Sequence, residues 1–495
     1  MRRLIGLGLL ASAPLGLLVC SDAVPVLRGR VIGDAGPLAN ARVRWQGTTL
    51  TTRSDATGLF TLPWLSRPGR VTASAHGHVI AGHPAGPGWL TLHLRPLPQE
   101  DHPDYAWVDP TPLPGEESRC GNCHQAMYRE WSAGGHARAL SNPHFRNLYD
   151  GTDHQGRPGA GWNLLDEHPN GAGVCASCHA PALADADPAR FDIRQVRGVA
   201  THGVHCDYCH KVAGPGDGEI GLTHGRFLHR LLRPAEGQLF FGPLDDVDRG
   251  EDVYSPYLRD SRFCAACHEG VLFGVRVYST YSEWLTGPAR RQGLHCQDCH
   301  MKPTGRMTNV APGRGGLPRA PSTLANHHFW DGSQLAMLQR CLQLQVTMVG
   351  SQATVTLHTS GVGHAVPTGF IDRQLILACE AHDPQGNLIP LRTGPTLPPS
   401  SGPQWAHTPG RLFARITRDE FGTTPVPFWR ALPEPVDQRL HPDQPVTLHF
   451  AFEHAFAHLR VRLLHRRFWA EEAQRKGWTD NDLMVLDRSY PAKSN

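Results

Sequence analysis

Cys264-Ala-Ala-Cys267-His268 and Cys296-Gln-Asp-Cys299-His300 decide how the rest of the chain is read. Three copies of the same spacing precede them: Cys120-Gly-Asn-Cys123-His124, Cys175-Ala-Ser-Cys178-His179 and Cys206-Asp-Tyr-Cys209-His210. With 13 cysteines and 30 histidines in 495 residues, chance would supply roughly 0.02 such motifs. Cys-x-x-Cys-His is the attachment motif of c-type haem. Its two thiols form thioethers to the porphyrin, and the adjacent histidine becomes the proximal iron ligand. Structural zinc takes CxxC elements in pairs and gives no reason for a histidine after each one. A thioredoxin-like site needs one CxxC in a βαβ setting. The pattern therefore predicts five covalently bound c-type haems, with His124, His179, His210, His268 and His300 as proximal ligands.

The odd cysteine count then resolves. Ten thiols go to haem, leaving Cys20, Cys341 and Cys379. The start of the chain reads as an export leader over residues 1–23: Met1-Arg2-Arg3, then an uncharged, mostly apolar run from Leu4 to Val19. Ser21-Asp22-Ala23 resembles a cleavage site, and Leu17-Leu18-Val19-Cys20 resembles a lipobox with an unusually bulky Val19. Cys20 is thus either lipidated or discarded with the leader. No later stretch has 18 uninterrupted apolar residues, so no spanning helix is expected. Cys341 and Cys379 are either one disulfide, as an oxidising compartment allows, or two unpaired thiols.

Outward from the motifs, the chain predicts a multidomain protein: an N-terminal β-sandwich, a loop-rich, mainly α multihaem domain and a C-terminal β-rich domain. Residues 24–97 show short alternating strands, such as Ala41, Val43 and Trp45. His76, His78 and His83 there read as surface residues. Residues 98–118 are acidic and carry five prolines (Pro98, Pro103, Pro110, Pro112, Pro114), the signature of a semi-rigid linker. Residues 119–330 hold all five motifs. Residues 331–495 alternate again from Leu342 and are expected to end in a helical tail near Trp469 to Lys476. His465-Arg466-Arg467 reads as a solvated strand edge. Motif 2 resembles motif 4, and motif 3 resembles motif 5, which points to duplication of a two-haem unit.

Axial ligand identity sets haem potential. Seven methionines compete with 25 non-proximal histidines, which favours bis-histidine, low-potential haems. The distal candidates are His136, His224, His328 and His364. His205 and His295, each just before a first cysteine, are secondary candidates. His144, His154, His168, His202 and His229 stand behind them.

Gly29-Arg-Val31, Pro37-Leu-Ala-Asn-Ala41-Arg-Val43 and Asp55-Ala-Thr-Gly58-Leu-Phe60 resemble the carboxypeptidase regulatory-like domain. That resemblance implies a non-catalytic adaptor. Trp131-Ser-Ala-Gly-Gly-His136-Ala, Thr280-Tyr-Ser-Glu-Trp284 and Gly363-His364-Ala-Val-Pro-Thr-Gly369 resemble multihaem cytochromes of the nitrosomonad tetrahaem-cytochrome and hydroxylamine-oxidoreductase-like group. That resemblance implies closely packed haem pairs and supports His136 as a distal ligand.

Two functions follow as expectations. The first is an exported pentahaem cytochrome relaying electrons between redox partner proteins, an electron carrier rather than a substrate-converting enzyme. It would be periplasmic or anchored on the outer side of a bacterial envelope membrane through Cys20. The alternative is a multihaem oxidoreductase acting on nitrite, hydroxylamine or a related small species at one open haem. All five motifs end in histidine, which disfavours the pentahaem nitrite reductases with their Cys-x-x-Cys-Lys haem. The near-neutral formal charge of +3 gives no footprint for nucleic acid. Ten haem propionates would turn the holoprotein acidic.

Overall fold

The computed structural model describes residues 25–170, 173–183, 191–330 and 334–492. The predicted leader and Cys20 lie outside the described residues.

Residues 26–93 form two four-stranded sheets. In one, Val26–Gly33 lies antiparallel to Leu59–Pro63 and parallel to Trp89–His93, with the short Gly36–Pro37 at its end. The other runs in the order Thr51–Arg53, Arg42–Trp45, Arg70–Ser74, Ala81–Pro84. Period-2 alternation turns Leu27 and Val31 inward and Arg28 and Arg30 outward. Leu27, Val31, Val43, Trp45, Leu62 and Val71 fill the space between the sheets, each worth about 1.5–3 kcal/mol on burial. Gly29 is required: a Cβ there would strike the Leu90 carbonyl and the Phe60 ring.

Three acidic side chains fasten this sandwich to the haem-motif region. Asp245 pairs with Arg42 and Arg44, at 2.9 and 2.8 Å. Asp246 accepts from the Gly47 amide at 2.8 Å and pairs with Arg319. Asp248 pairs with Arg70.

Residues 98–118 are not a free linker. They form a strap laid on the motif region. Asp101 pairs with the buried Arg233. The Tyr105 hydroxyl and the Val108 amide both donate to the buried Asp207 carboxylate at 2.9 Å. Polar groups between the prolines found partners, which composition does not reveal.

The middle region is a set of short helices, each carrying one motif: Cys120–Cys123, Val174–His179, Cys206–Cys209, Ser261–His268 and Cys296–His300. Between them lie three two-stranded ribbons (Val212–Pro215 with His229–Leu231, Phe240–Gly242 with Asp252–Tyr254, Glu269–Leu272 with Val275–Ser279). Further short helices, such as Pro143–Asp150 and Thr280–Thr286, lie beside the motif helices, so the region is helical in short pieces with strand ribbons between them.

Beyond residue 341 two further sheets stack. One orders Leu342–Val349, Gln352–Thr359, Val446–Phe452 and Leu391–Thr393. The other centres on Gln374–His382 and His458–Arg466. Gln374–His382 is buried on both faces: Leu375, Leu377 and Cys379 enter the main core, while Ile376 and Ala378 meet Trp405 and Trp469. That is why it reads as a continuous apolar run. Cys341 and Cys379 are two separate thiols, and no disulfide joins them.

Two expectations for this region are corrected. The helix Ala470–Lys476 is present, but it is followed by the strand Asp482–Pro491, which pairs along His458–Arg466. That strand covers the edge, so His465 and Arg466 are 2% and 3% exposed rather than solvated. Arg466 is paired with Asp482 at 2.7 Å. The same helix clamps the motif region. Lys476 Nζ donates to the Asn147 and Trp162 carbonyls at 2.8 and 2.7 Å.

Candidate haem-binding site

All ten motif cysteines and all five motif histidines line one continuous cavity of about 1820 Å³. Ordinary ligand pockets span about 300–1,000 Å³, so this space suits several large groups. No other element could bring the thiols together: each motif sits on a helix of only four to eight residues, held by its neighbours rather than by its own length.

Four of the five motif histidines are set in the tautomer that iron needs. Nδ1 of His124 faces the Val310 carbonyl at 3.0 Å, and Nδ1 of His179 and His210 face Ala139 and Phe241 carbonyls at 2.6 Å. Nδ1 of His300 faces the Trp330 carbonyl. A carbonyl only accepts, so each Nδ1 carries the proton and each Nε2 keeps its lone pair. Such second hydrogen bonds orient metal-bound imidazoles. His268 is so enclosed that burial, helped by His136, His300 and His364, pushes its pKa down to about 3.

The residues thus fit covalent haem: paired thiols, a lone pair beside each pair, and space around them. The motifs are also in contact with one another. The thiols of Cys120 and Cys206 lie close enough to interact, as do those of Cys178 with Cys267 and Cys264 with Cys296. Cys209 lies within electrostatic reach of Cys264 and Cys267. Motif 4 is accordingly the neighbour of motifs 2, 3 and 5, and motif 1 joins through motif 3. The sequence repeat does not dictate this, because Cys206 meets Cys120 rather than motif 2.

Two distal candidates stand opposite a motif histidine. The ring centres of His136 and His268 are 6.2 Å apart, as are those of His364 and His300. Metal–nitrogen bonds of about 2.0–2.1 Å, plus about 1.1 Å from nitrogen to ring centre, put two imidazoles on opposite sides of one ion about 6.2 Å apart. Nδ1 of His364 faces the Ala365 carbonyl at 3.0 Å, again leaving Nε2 free of its proton.

His224 also lines the cavity. Its Nε2 faces the Val271 carbonyl at 3.1 Å, so its lone pair is on the buried Nδ1. His328 does not line the cavity; it stacks on Trp330 with ring centres 4.5 Å apart. Its neighbour His327 lines the cavity instead, within electrostatic reach of His210 and His124. The His327-His328 doublet was the available signal, since adjacent side chains diverge and only one can face inward.

His205 and His295 are used as helix caps. Nδ1 of His205 accepts from the Tyr208 amide at 3.4 Å, and Nδ1 of His295 from the Ser261 amide at 3.1 Å. Both also line the cavity, where Nε2 of His205 is buried with no hydrogen-bond partner among the described residues. His229 has both nitrogens engaged, with the Tyr208 hydroxyl at 2.9 Å and the Phe263 carbonyl at 3.1 Å. His144 lines the cavity with Nε2 3.1 Å from Asp480. His154 faces the Lys476 carbonyl, His168 packs on Phe273, and His202 approaches Asp109 at 3.4 Å.

Two supporting residues lie in stretches that the sequence singled out, but nothing local showed their roles. Glu283 accepts from the Ala365 amide at 3.0 Å and the Thr368 hydroxyl at 3.1 Å and pairs with Arg439 at 2.7 Å. It pins the loop that presents His364. Asp207, inside motif 3, is fully buried and paired with the fully buried Lys211.

Short motif-bearing helices around one cavity, with sheets at both ends, define a multihaem c-type cytochrome that binds haem covalently. Residues 119–211 match the family described as cytochrome c554 and c-prime. Among solved structures the chain is similar to the crystal structure of a penta-heme cytochrome c552 from Thermochromatium tepidum, at 23% identity and a TM-score of 0.53. That likeness covers 75% of this chain and 97% of the other, and it speaks for the fold. No curated protein matches the chain.

Proposed function

We propose that this protein is an exported pentahaem electron relay, with one haem on each CxxCH motif. The observation that carries the reading is the close approach of motifs inside one cavity: motif 1 to motif 3, motif 2 to motif 4 and motif 4 to motif 5, with Cys209 of motif 3 within electrostatic reach of motif 4. Haems held at attachment points this close would be near enough to pass electrons from one to the next. When bound, haem supplies one-electron iron chemistry whose potential follows its axial ligands.

His136 serves as distal ligand to the motif 4 iron and His364 to the motif 5 iron, from the 6.2 Å separations. His327 and His224 are the further distal ligands, by their place on the cavity wall. Bis-histidine coordination closes the irons to substrate and suits a carrier. The physiological partners are redox proteins that donate and accept electrons. Export rests on residues 1–23, with Cys20 as the lipid anchor to the envelope, and on the need for covalent haem attachment. No described helix is long and apolar enough to cross a membrane. Residues 24–97 act as an accessory adaptor of the carboxypeptidase regulatory-like kind.

Electron paramagnetic resonance and CO titration of the purified holoprotein test this reading. Low-spin spectra without CO binding are expected. A high-spin ferric signal together with CO binding would assign the chain to the alternative, a small-molecule oxidoreductase with an open haem.

A further inference from the structure

Motif 5 is the motif most open to solvent. No residue of Cys296–His300 is buried, whereas Ser261–His268 buries Ser261, Ala265 and Ala266, and Cys206–Cys209 buries Asp207 and Tyr208. Its surroundings are basic. Arg290, Arg291, Lys302 and Arg340 are all exposed, and Lys302 and Arg340 lie within electrostatic reach of Cys299. Arg290, Lys302 and Arg340 have no ion-pair partner among the described residues. Arg291 donates to the Thr286 carbonyl at 3.0 Å and pairs with the exposed Asp443 at 3.1 Å, a pairing worth little in water.

Two acids lie close by, and the exposed Asp298 offsets part of this positive charge at Cys299. Asp298 accepts from the His295 amide at 2.8 Å, and Asp260 pairs with Arg262 at 3.1 Å. Two exposed apolar side chains, Leu285 and Leu294, flank Arg290 and Arg291 along the chain, 49% and 39% exposed. Trp284 holds them: its indole N–H donates to the Leu294 carbonyl at 2.8 Å, and Arg290 lies over its ring.

We propose that this face is the docking surface for an acidic electron-transfer protein, which would exchange electrons at the motif 5 edge. The inference rests on the relay reading and adds the partner's chemistry and its point of entry. Exposed apolar side chains beside charged ones are the composition of a transient interface. Complementary charge steers encounter and raises association rates by about 10–10³-fold. Haem propionates make the holoprotein acidic as a whole, so an acidic partner is repelled elsewhere and drawn to this face.

Binding of an oxidised, acidic flavodoxin to the oxidised holoprotein, followed by calorimetry at low salt, tests the surface without any electron transfer. Wild type is expected to bind, and 0.2 M salt to weaken it. Arg290→Glu/Arg291→Glu and, separately, Arg340→Glu are expected to weaken binding by about tenfold or more. A basic single-haem cytochrome c is expected to bind wild type more weakly than flavodoxin does. Equal flavodoxin affinity in wild type and both variants, or preference for the basic protein, overturns the proposal. Dithionite reduction and haem content of the same samples report on the relay reading independently. Incomplete reduction of wild type counts against the relay, while the affinity comparison alone judges the face.

Discussion

His300 and His364 face each other with ring centres 6.2 Å apart and ring planes 20° from parallel. The first closes motif 5. The second comes from a loop of the C-terminal β region, pinned by Glu283 against the helix Thr280–Thr286. One side of this site therefore belongs to the motif and the other to a different layer of the fold.

Removing either distal partner should open one iron. His364→Ala and His136→Ala are each expected to keep full haem content and to gain a high-spin signal and CO binding amounting to about one haem. Electron paramagnetic resonance and CO difference spectra of the holoproteins check this. Wild-type spectra from both variants would rule out the two pairs.

The histidine doublet offers an internal control. His327→Ala is expected to change the spin state of one haem, because His327 lies on the cavity wall. His328→Ala should leave the spectrum unchanged and cost only its stacking on Trp330. The opposite outcome would reverse the assignment.

Asp207 and Lys211 are both fully buried. Removing one member of a buried pair costs about 3–5 kcal/mol, whereas replacing both with apolar groups is often neutral. Asp207→Ala also deprives the Val108 amide of its acceptor, while the Tyr105 hydroxyl keeps Gln238 at 2.7 Å. Its melting temperature should fall by on the order of 10 °C, and limited proteolysis should release residues 98–118. Asp207→Leu/Lys211→Met is expected to recover part of the loss in a thermal melt of the holoprotein.

Asp372 is fully enclosed, and burial raises its pKa to about 8, with Glu472 adding to the shift and Trp469 and Arg415 opposing it. The folded protein therefore holds a proton that the unfolded chain releases near pH 4. Stability from this group is fully present below that lower pKa and declines as pH rises to about 8. Asp372→Asn, which can still accept from the Trp469 indole, should flatten the fall in stability between pH 5 and 8. The difference at pH 8 is expected to be on the order of a few kcal/mol. Parallel pH profiles for wild type and variant would remove Asp372 as the cause.

The sequence by itself determined the covalent chemistry. Two thiols and a histidine at fixed spacing are local, and five copies outweigh chance without any knowledge of the fold. It also placed strands at both ends, because residues such as Val43 and Trp45, or Leu342 and Leu344, alternate with the pleat. It ranked His136 and His364 for their local settings, but nothing local says which iron either one faces. Only the tertiary structure put His136 opposite His268, chose His327 over His328 for the cavity wall, and turned His205 and His295 into caps. It also made Asp207 an anchor for a segment that reads as a linker and buried His465 and Arg466 under a final strand. The physical reason is the same throughout. Haem attachment is written in neighbouring residues, whereas axial pairing, burial and ion pairing depend on which distant backbone the fold brings within a few ångströms.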